Sequence, residues 1–311
     1  MAAAARMLRG TNAQGGALRM AERVFRLTLG ACATFAILAT AAIFVYLART
    51  GVSGIAQAGI GDLTTGTRWK PEAGSYGGLP LVIGTLATAL GAVLLGGIGS
   101  ILAALWAVEL APKWVRATYR RFMTVGVAIP SVVYGWLALV HLVPLLRSFA
   151  VGIYGPDAQV GGEGIAAASL LLGTMIAPTI VILSFDAIAQ VPQSIRDASY
   201  ALGVSRVKTG LFVVLPYVWR RLLLALFFGF GRAAGETMAV QMVIGGARKL
   251  PENLFRPTTT ISAQVVMDMQ NARPGTTESN VLYSMSLVLL LVSVLGVLAT
   301  HLLSRKSKGA P

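Results

Sequence analysis

The sequence predicts an all-α, polytopic membrane protein with six transmembrane helices. Of its 311 residues, 55% are hydrophobic and only 12% are charged, about half the charged share of an ordinary soluble domain. The charged residues form short clusters between long uncharged runs. So few charges do not cover the surface of a soluble globule, which excludes a soluble enzyme. A nucleic-acid module is excluded too, because the net charge of +14 is not spread over a polar, Lys-rich surface.

Six runs with few or no charges are long enough to cross a bilayer, which takes about 20 residues. They cover residues 27–48, 73–108, 122–146, 164–185, 222–247 and 279–304. The first run follows several arginines, as the apolar core of a signal peptide does. It is longer than the roughly 7–15 residues of such a core, so we expect an uncleaved helix. No region between the runs is long enough for a soluble domain.

The basic residues predict how the chain crosses the membrane. Of the 26 Lys and Arg residues, 17 fall in the two tails and in the loops after the second and fourth runs. Because basic residues accumulate on the cytoplasmic side, both termini are predicted to be cytoplasmic. The predicted parts are a basic cytoplasmic tail, 1–26; an N-terminal transmembrane helix, 27–48; a transmembrane domain, 73–304, with a cytoplasmic loop at 190–216; and a cytoplasmic tail, 305–311.

Arg232 and Glu236 lie inside the fifth apolar run, in the stretch GFGRAAGETMAV. Charges within a membrane are costly unless they are paired or hydrated, so they usually face a bundle interior or a water-filled path. Residues four apart share one helix face, so the two side chains can meet if the helix is continuous. The pair is either a structural ion pair between helices or part of a substrate path, since an arginine fork matches the oxygens of phosphate and other oxyanions. We favour the path.

The predicted cytoplasmic segment 191–216 carries the signals of two short helices. Pro192 suits the start of a helix and Gly203 the position just past its end. Ser205 suits the cap of a second helix that runs toward Pro216. Two such helices would form a compact projection, and the residues alone leave open whether it docks a partner.

Proline also occurs inside two of the apolar runs. Pro130 is expected to break the third run and Pro178 the fourth, because proline removes an intrahelical hydrogen bond. Such breaks are tolerated in membranes where neighbouring groups or water satisfy the freed carbonyls. Each is compatible with a moving pathway or with an ordinary kink fitted by packing.

The residues for metal, disulfide or nucleophilic chemistry are scarce. Cys32 is the single cysteine, and His141 and His301 are the only histidines, so we expect no disulfide framework, bound metal or His-based catalysis. The chain has no G-x-x-x-x-G-K-[S/T] phosphate loop, so it does not hydrolyse ATP by that mechanism. We expect no cofactor on this chain.

Several stretches resemble the permease subunits of ABC importers. The spacing of Asp197-Ala198-Ser199, Gly203, Val213, Leu215 and Pro216 is similar to the E-A-A-x3-G-x9-I-x-L-P loop of that family, with Asp for Glu and Ser for the second Ala. Residues 79–86, 129–135 and 231–240 narrow the resemblance to the phosphate uptake system. The last stretch is similar to the PstC-type subunit rather than to its PstA-type sister. The resemblance covers roughly residues 70–300.

The resemblance implies the type I ABC importer permease architecture and a non-enzymatic, channel-forming role in inorganic phosphate import. Implied partners are a sister permease, two copies of an ATPase that carries ATP–Mg, an extracytoplasmic phosphate-binding protein and membrane lipid. The location implied is the bacterial inner membrane, with the first span lying outside a five-helix core. The expected ATPase-coupling residues are Asp197, Ala198, Ser199, Gly203 and Pro216. The expected substrate-path residues are Arg232, Glu236, Thr237, Ser131 and Tyr134.

Other functions remain open on the sequence. The coupling loop is shared with permeases for sulfate or molybdate, and the PstA-type sister is close in pattern. A membrane enzyme that uses Glu236 as acid or base needs a second catalytic group, for which Arg232 is the one ionisable candidate nearby. A structural scaffold gives no reason to bury Arg232 and Glu236.

Overall fold

The computed structural model describes residues 2–155 and 160–305, which are mostly helical. The chain consists of two units, Met1–Thr50 and Gly51–Pro311. In the described residues, six helical segments are long and apolar enough to cross a membrane, which confirms the predicted number. They are Glu22–Ala58, Leu79–Glu109, Ser131–Tyr154, Ile165–Ala189, Arg206–Gly235 and Thr277–Gly296. Most of the predicted tail 305–311 lies outside the described residues.

The first helix, α1, runs from Ala2 to Ala58. Within the stretch predicted as a basic tail, 1–26, the described residues 2–26 are therefore helical and continuous with the first span. Large apolar side chains of α1, such as Phe35 and Ile37, are exposed. An apolar helix with an exposed surface suits a lipid environment.

A small cap lies between α1 and the second span. It contains helix α2 (Ile60–Thr65), strand β1 (Trp69–Lys70), a 3₁₀ turn (Pro71–Ala73) and strand β2 (Ser75–Tyr76). The strands are antiparallel, and Trp69 lies opposite Tyr76. Trp69 is 1% exposed and belongs to a buried apolar cluster with Leu81 and Leu282. The cap is thus packed onto the membrane helices.

The second span contains α3 (Leu79–Ala92), a π-helical turn (Val93–Gly97) and α4 (Ile98–Glu109). An amphipathic helix, α5 (Lys113–Val127), follows. The third span is built of α6 (Ser131–Leu137), a π-helical turn (Ala138–Leu142) and α7 (Val143–Tyr154). The predicted bounds of the third run, 122–146, were wrong. They were placed at charged residues, whereas the helix is interrupted at Ala128–Pro130, where no charged residue lies.

Helix α8 (Ile165–Ala189) is the central element and the most buried span. Helices of the second and fifth spans pack against it. A β-carbon at Gly96 would lie 2.2 Å from the Gly173 carbonyl oxygen, so small residues permit the close approach of the second span. The predicted break at Pro178 was wrong, since α8 continues through this residue.

Two short helices follow, α9 (Gln193–Ala201) and α10 (Arg206–Thr209). A π-helical turn (Gly210–Val214) connects α10 to α11 (Leu215–Gly235). The predicted second helix is therefore the beginning of the fifth span, which starts at Arg206 rather than at residue 222. The remaining helices are α12 (Met238–Val243), α13 (Ile261–Met269) and α14 (Thr277–Arg305).

Candidate functional site

Two helix ends meet the middle of α8 at neighbouring residues. A β-carbon at Gly126, near the end of α5, would lie 3.2 Å from the Pro178 Cγ atom. Arg232, near the end of α11, donates a hydrogen bond from Nη1 to the Thr179 Oγ1 atom at 2.8 Å. The break after α5 and the break after α11 therefore lie at similar levels of the central span. Discontinuous helices of this kind expose backbone polar groups inside a membrane protein.

Arg232 is partly buried, and its contact is with Thr179 rather than with Glu236. The i, i+4 contact that the spacing allows does not form, because α11 ends at Gly235 and Glu236 has extended backbone angles, φ −68° and ψ 130°. Within the part of the chain that the structure describes, no ion pair joins the two residues. Sequence reasoning missed Thr179; its position next to Pro178 in a buried helix was the available signal.

Glu236 lies at the start of α12. Its Oε1 atom is 3.5 Å from the Ala239 backbone nitrogen, and its carbonyl accepts a hydrogen bond from Ser262 Oγ at 2.9 Å. Thr237 occupies the N-cap position and donates from Oγ1 to the Gly235 carbonyl at 3.3 Å. A carboxylate near the first turn of a helix is favoured by the unpaired backbone N–H groups there. The Gly-Glu-Thr stretch thus forms the junction between α11 and α12.

Ser131 and Tyr134 lie at the corresponding junction between α5 and α6. Ser131 is the first residue of α6 and is partly buried. The Tyr134 hydroxyl donates to the Gly126 carbonyl at 3.3 Å, which satisfies a group that the break leaves free.

Helices α6 and α12 pack closely at Gly135. A β-carbon at this position would lie 2.9 Å from the Ala239 Cα atom and 2.8 Å from the Met242 sulfur atom. Ala239 is also the residue whose backbone nitrogen faces the Glu236 carboxylate. The structure therefore brings the predicted path residues of the two junctions into one region, although Arg232 and Glu236 contact different elements.

A groove of about 950 Å³ lies between α8, α11 and α14 and includes Arg232 in its wall. Towards the end of α8 it is bordered by Gln190 and Arg221, where the Arg221 Nη1 atom donates to the Gln190 Oε1 atom at 2.7 Å. Most of the wall is apolar, with Leu183 and Phe227 among its residues. The groove makes the Arg232 side chain reachable from outside the bundle.

The segment with the predicted coupling residues has an exposed face and a buried face. Asp197 and Ala198 are exposed, and the Asp197 Oδ1 atom accepts from Gln193 Nε2 at 2.9 Å. Ser199 is buried instead, with its Oγ atom 2.9 Å from Thr209 Oγ1. Gly203 has a φ of +77° just past α9, as the sequence predicted, since glycine adopts this angle without strain.

Pro216 lies in the first turn of α11 and is exposed. It follows the π-helical turn, so the helix that the sequence predicted to run toward Pro216 continues through this residue. Leu202, which sequence reasoning missed, is 84% exposed directly after α9. A large exposed apolar side chain beside Asp197 and Ala198 extends the exposed face.

The longest loop, between α12 and α14, is fastened to the cap by a buried carboxylate. Asp268 accepts from Trp69 Nε1 at 2.8 Å and from Arg248 Nη2 at 2.6 Å. Arg248 also pairs with Glu72 at 3.3 Å. Burial raises the pKa of the nearby Tyr76 hydroxyl, and the negative charge of Glu278 raises it further. The loop and the cap therefore form one ordered surface rather than two free loops.

Comparison with known proteins identifies the family. Residues 96–309 match the model described as "Binding-protein-dependent transport system inner membrane component". The chain belongs to this family. Its members are transport components, in agreement with the expectation of a non-enzymatic subunit.

Similar proteins cover nearly the whole chain. A probable ABC transporter permease, YqgH of Bacillus subtilis, is 35% identical over a region that covers 91% of each protein. The phosphate transport system permease PstC of Xylella fastidiosa is 30% identical and covers 93% of this chain and 92% of its own length. PstC 1 of Mycobacterium tuberculosis is 34% identical over 77% of this chain and 76% of its own length.

Solved structures share the fold. An inward-facing structure of the MetNI methionine ABC transporter matches 71% of this chain and 90% of its own, at 19% identity and a TM-score of 0.50. A bacterial ABC transporter for alginate import matches 74% of this chain and 79% of its own, at 17% identity and a TM-score of 0.52. The predicted architecture of an ABC importer permease is confirmed.

Proposed function

We propose that this chain is the channel-forming permease subunit of an ATP-driven importer of inorganic phosphate. The observation that carries the proposal is Arg232, a partly buried guanidinium held by Thr179 at the middle of the most buried span. The PstC relatives support phosphate as the substrate. A charged residue at this depth indicates a pathway.

The chemistry of the junction suits a tetrahedral oxyanion. A guanidinium has five N–H donors, and the hydrogen bond to Thr179 uses one nitrogen of Arg232. The free donors match phosphate oxygens in a bidentate arrangement. Ser131, Tyr134 and Thr237 add hydroxyl groups at the two helix junctions. The Glu236 carboxylate repels phosphate, and this keeps the path from binding its substrate too tightly.

The partners follow from the family and the exposed faces. We place an ATPase against the exposed face of α9, formed by Asp197, Ala198 and Leu202, with Gly203 and Pro216 setting the shape of the segment. Two ATPase copies hold ATP–Mg, while this chain binds no cofactor. A sister permease completes the path, and an extracytoplasmic binding protein supplies phosphate. Both termini lie in the cytoplasm, in accordance with the distribution of basic residues.

The test is phosphate uptake by cells that lack their own phosphate permease. The chain is expressed with its sister permease, ATPase and binding protein, and uptake of labelled phosphate is measured for wild type, Arg232→Ala and the control Arg23→Ala, which changes an exposed arginine. Loss of a charge-assisted contact predicts at least about a tenfold fall for Arg232→Ala and none for the control. Competition with sulfate and molybdate identifies the oxyanion. Absence of uptake by the wild type, or equal uptake by Arg232→Ala, would contradict the proposal.

A further inference from the structure

Arg196 is buried on α9, although sequence reasoning counted it only among the basic residues that set orientation. It is 8% exposed, and the side chain of its partner Glu109 is 5% exposed. Arg196 Nη2 lies 2.8 Å from Glu109 Oε1, and Nε lies 3.1 Å from the same oxygen. Nη1 donates to the Val191 carbonyl at 2.5 Å, and Nη2 donates to the Ile188 carbonyl at 3.0 Å. Every nitrogen of the guanidinium therefore has a partner.

These partners belong to the ends of two membrane spans. Glu109 is the last residue of α4 and thus of the second span. Ile188 lies in the last turn of α8, and Val191 lies two residues past the end of that helix. A third connection comes from the buried contact between Ser199 on α9 and Thr209 on α10, at the start of the fifth span. Helix α9 is therefore fastened by polar contacts to the second, fourth and fifth spans.

The side of α9 opposite these contacts is free. Asp197 and Ala198, the next two residues, are exposed, and Leu202 is 84% exposed. A force applied to the exposed face of α9 is transmitted to the membrane spans through the polar contacts on its buried face. Apolar packing is not directional, whereas a multiply bonded arginine–carboxylate pair has fixed geometry. Separating the pair leaves an uncompensated buried charge, so α9 and the end of α4 move together.

We propose that the Arg196–Glu109 pair is the linkage through which movement of α9 reaches the second and fourth spans. Both are positioning residues: they touch no substrate and act by holding α9 to α4 and α8. The inference rests on the proposed function, because it requires an ATPase that acts on the exposed face of α9. It adds an internal connection that the coupling motif does not contain, since Glu109 lies far from that motif in sequence.

The experiment uses the complete complex in proteoliposomes with the binding protein outside and inorganic phosphate as the probe. Arg196→Gln, Arg196→Lys and Glu109→Gln are compared with wild type. The control Glu22→Gln removes one partner of the exposed Arg26–Glu22 pair. The measured quantity is phosphate transported per ATP hydrolysed, together with the amount of assembled complex. A purely structural role lowers the amount of complex and leaves this ratio unchanged.

We expect Arg196→Gln and Glu109→Gln to assemble and hydrolyse ATP while the ratio falls about 3- to 30-fold. Arg196→Lys keeps the charge but not the fork, so its ratio falls less. The control keeps the wild-type ratio. A wild-type ratio in assembled Arg196→Gln and Glu109→Gln complexes overturns the proposal. Failure of every variant to assemble also overturns it, because the pair is then only a folding contact.

A second readout separates this inference from the choice of substrate. In a Cys32→Ser background, Val132→Cys places a thiol on an exposed position in the first turn of α6, beside the junction, and its labelling rate is measured with and without ATP. ATP is expected to change this rate in the otherwise wild-type complex and to leave it unchanged with Arg196→Gln. An ATP response that survives in Arg196→Gln contradicts the linkage. Failure of wild-type phosphate uptake with the ATP effect still dependent on Arg196 contradicts the substrate and leaves the linkage standing.

Discussion

At the residue scale, the two charged side chains of the Gly231–Val240 stretch have separate contacts. Arg232 is oriented by Thr179 and borders the groove beside α8. Glu236 is oriented by the start of α12 and lies where the fifth span ends. Since the two side chains do not neutralise each other, the guanidinium keeps free donors for an anion. In the proposed path, the carboxylate acts on that anion by repulsion and through the position of α12.

Glu236→Gln tests this division of tasks. Glutamine keeps an acceptor oxygen for the Ala239 backbone nitrogen but removes the negative charge. We expect a small effect on stability, about 0.3–1 kcal/mol from the helix terminus, and a clear fall in phosphate uptake. Uptake and thermal stability of the purified complex are measured side by side, with Glu22→Gln as the matched control. Unchanged uptake would show that the charge of Glu236 has no role in transport.

The buried Arg196 and the partly buried Arg232 show which functional residues can be predicted from the sequence alone. Arg232 was recognised because it interrupts an apolar run, and burial of a charge is visible in sequence whenever its neighbours are apolar. Arg196 was not recognised, because polar residues surround it in the sequence of α9 and its partner Glu109 is 87 positions away. Pairing over that sequence distance requires the ends of α4 and α8 to lie side by side. The local sequence pattern does not predict which helix ends are neighbours. Thr179 lies beside Pro178 in an apolar helix, but its contact with Arg232, 53 positions away, also depends on how two helices pack.

At the scale of the elements, helix breaks were predicted less well than helix existence. Glycine and proline signals correctly gave the turn at Gly203 and the break at Pro130. Pro178 did not break α8, because packing on several sides compensates for one lost hydrogen bond. The break at Glu236 had no proline and was hidden inside an apolar run. Helix α12, which begins after this break, packs closely against α6 at Gly135.

Gly135→Ala tests the packing of α6 against α12. The added β-carbon would lie 2.9 Å from the Ala239 Cα atom, so the helices must separate. Overpacking of this kind costs about 1–3 kcal/mol, and we expect lower thermal stability together with reduced uptake. Gly152→Ala is the matched control, because a β-carbon there meets nothing within 4 Å. Equal melting temperatures for the two variants would contradict the close packing seen here.

At the scale of the whole molecule, the exposed basic residues predict the orientation of the chain in the membrane, whereas Arg196 and Arg232 have other contacts. Arg196 is part of an internal ion pair and Arg232 borders the groove. Neither residue is therefore counted when the positive-inside rule is applied. The remaining basic residues are still most frequent in the tails and loops that the sequence predicts to be cytoplasmic, and these loops include α5 and α9. The positive-inside rule predicts that α5 and α9 lie on the cytoplasmic side, which agrees with the coupling face proposed for α9. Orientation and coupling thus require the same topology.

Thiol labelling of intact cells tests that topology. In a Cys32→Ser background, Glu252→Cys places a thiol in the loop between α12 and α13, and Lys113→Cys places one at the start of α5; both positions are exposed. A membrane-impermeant maleimide is expected to label Glu252→Cys in intact cells, and Lys113→Cys only after the membrane is opened. The Cys32→Ser protein without a new cysteine serves as the control and should remain unlabelled. The reverse pattern would place α9 outside the cell, where ATP and an ATPase are absent, and would overturn both the orientation and the proposed coupling face.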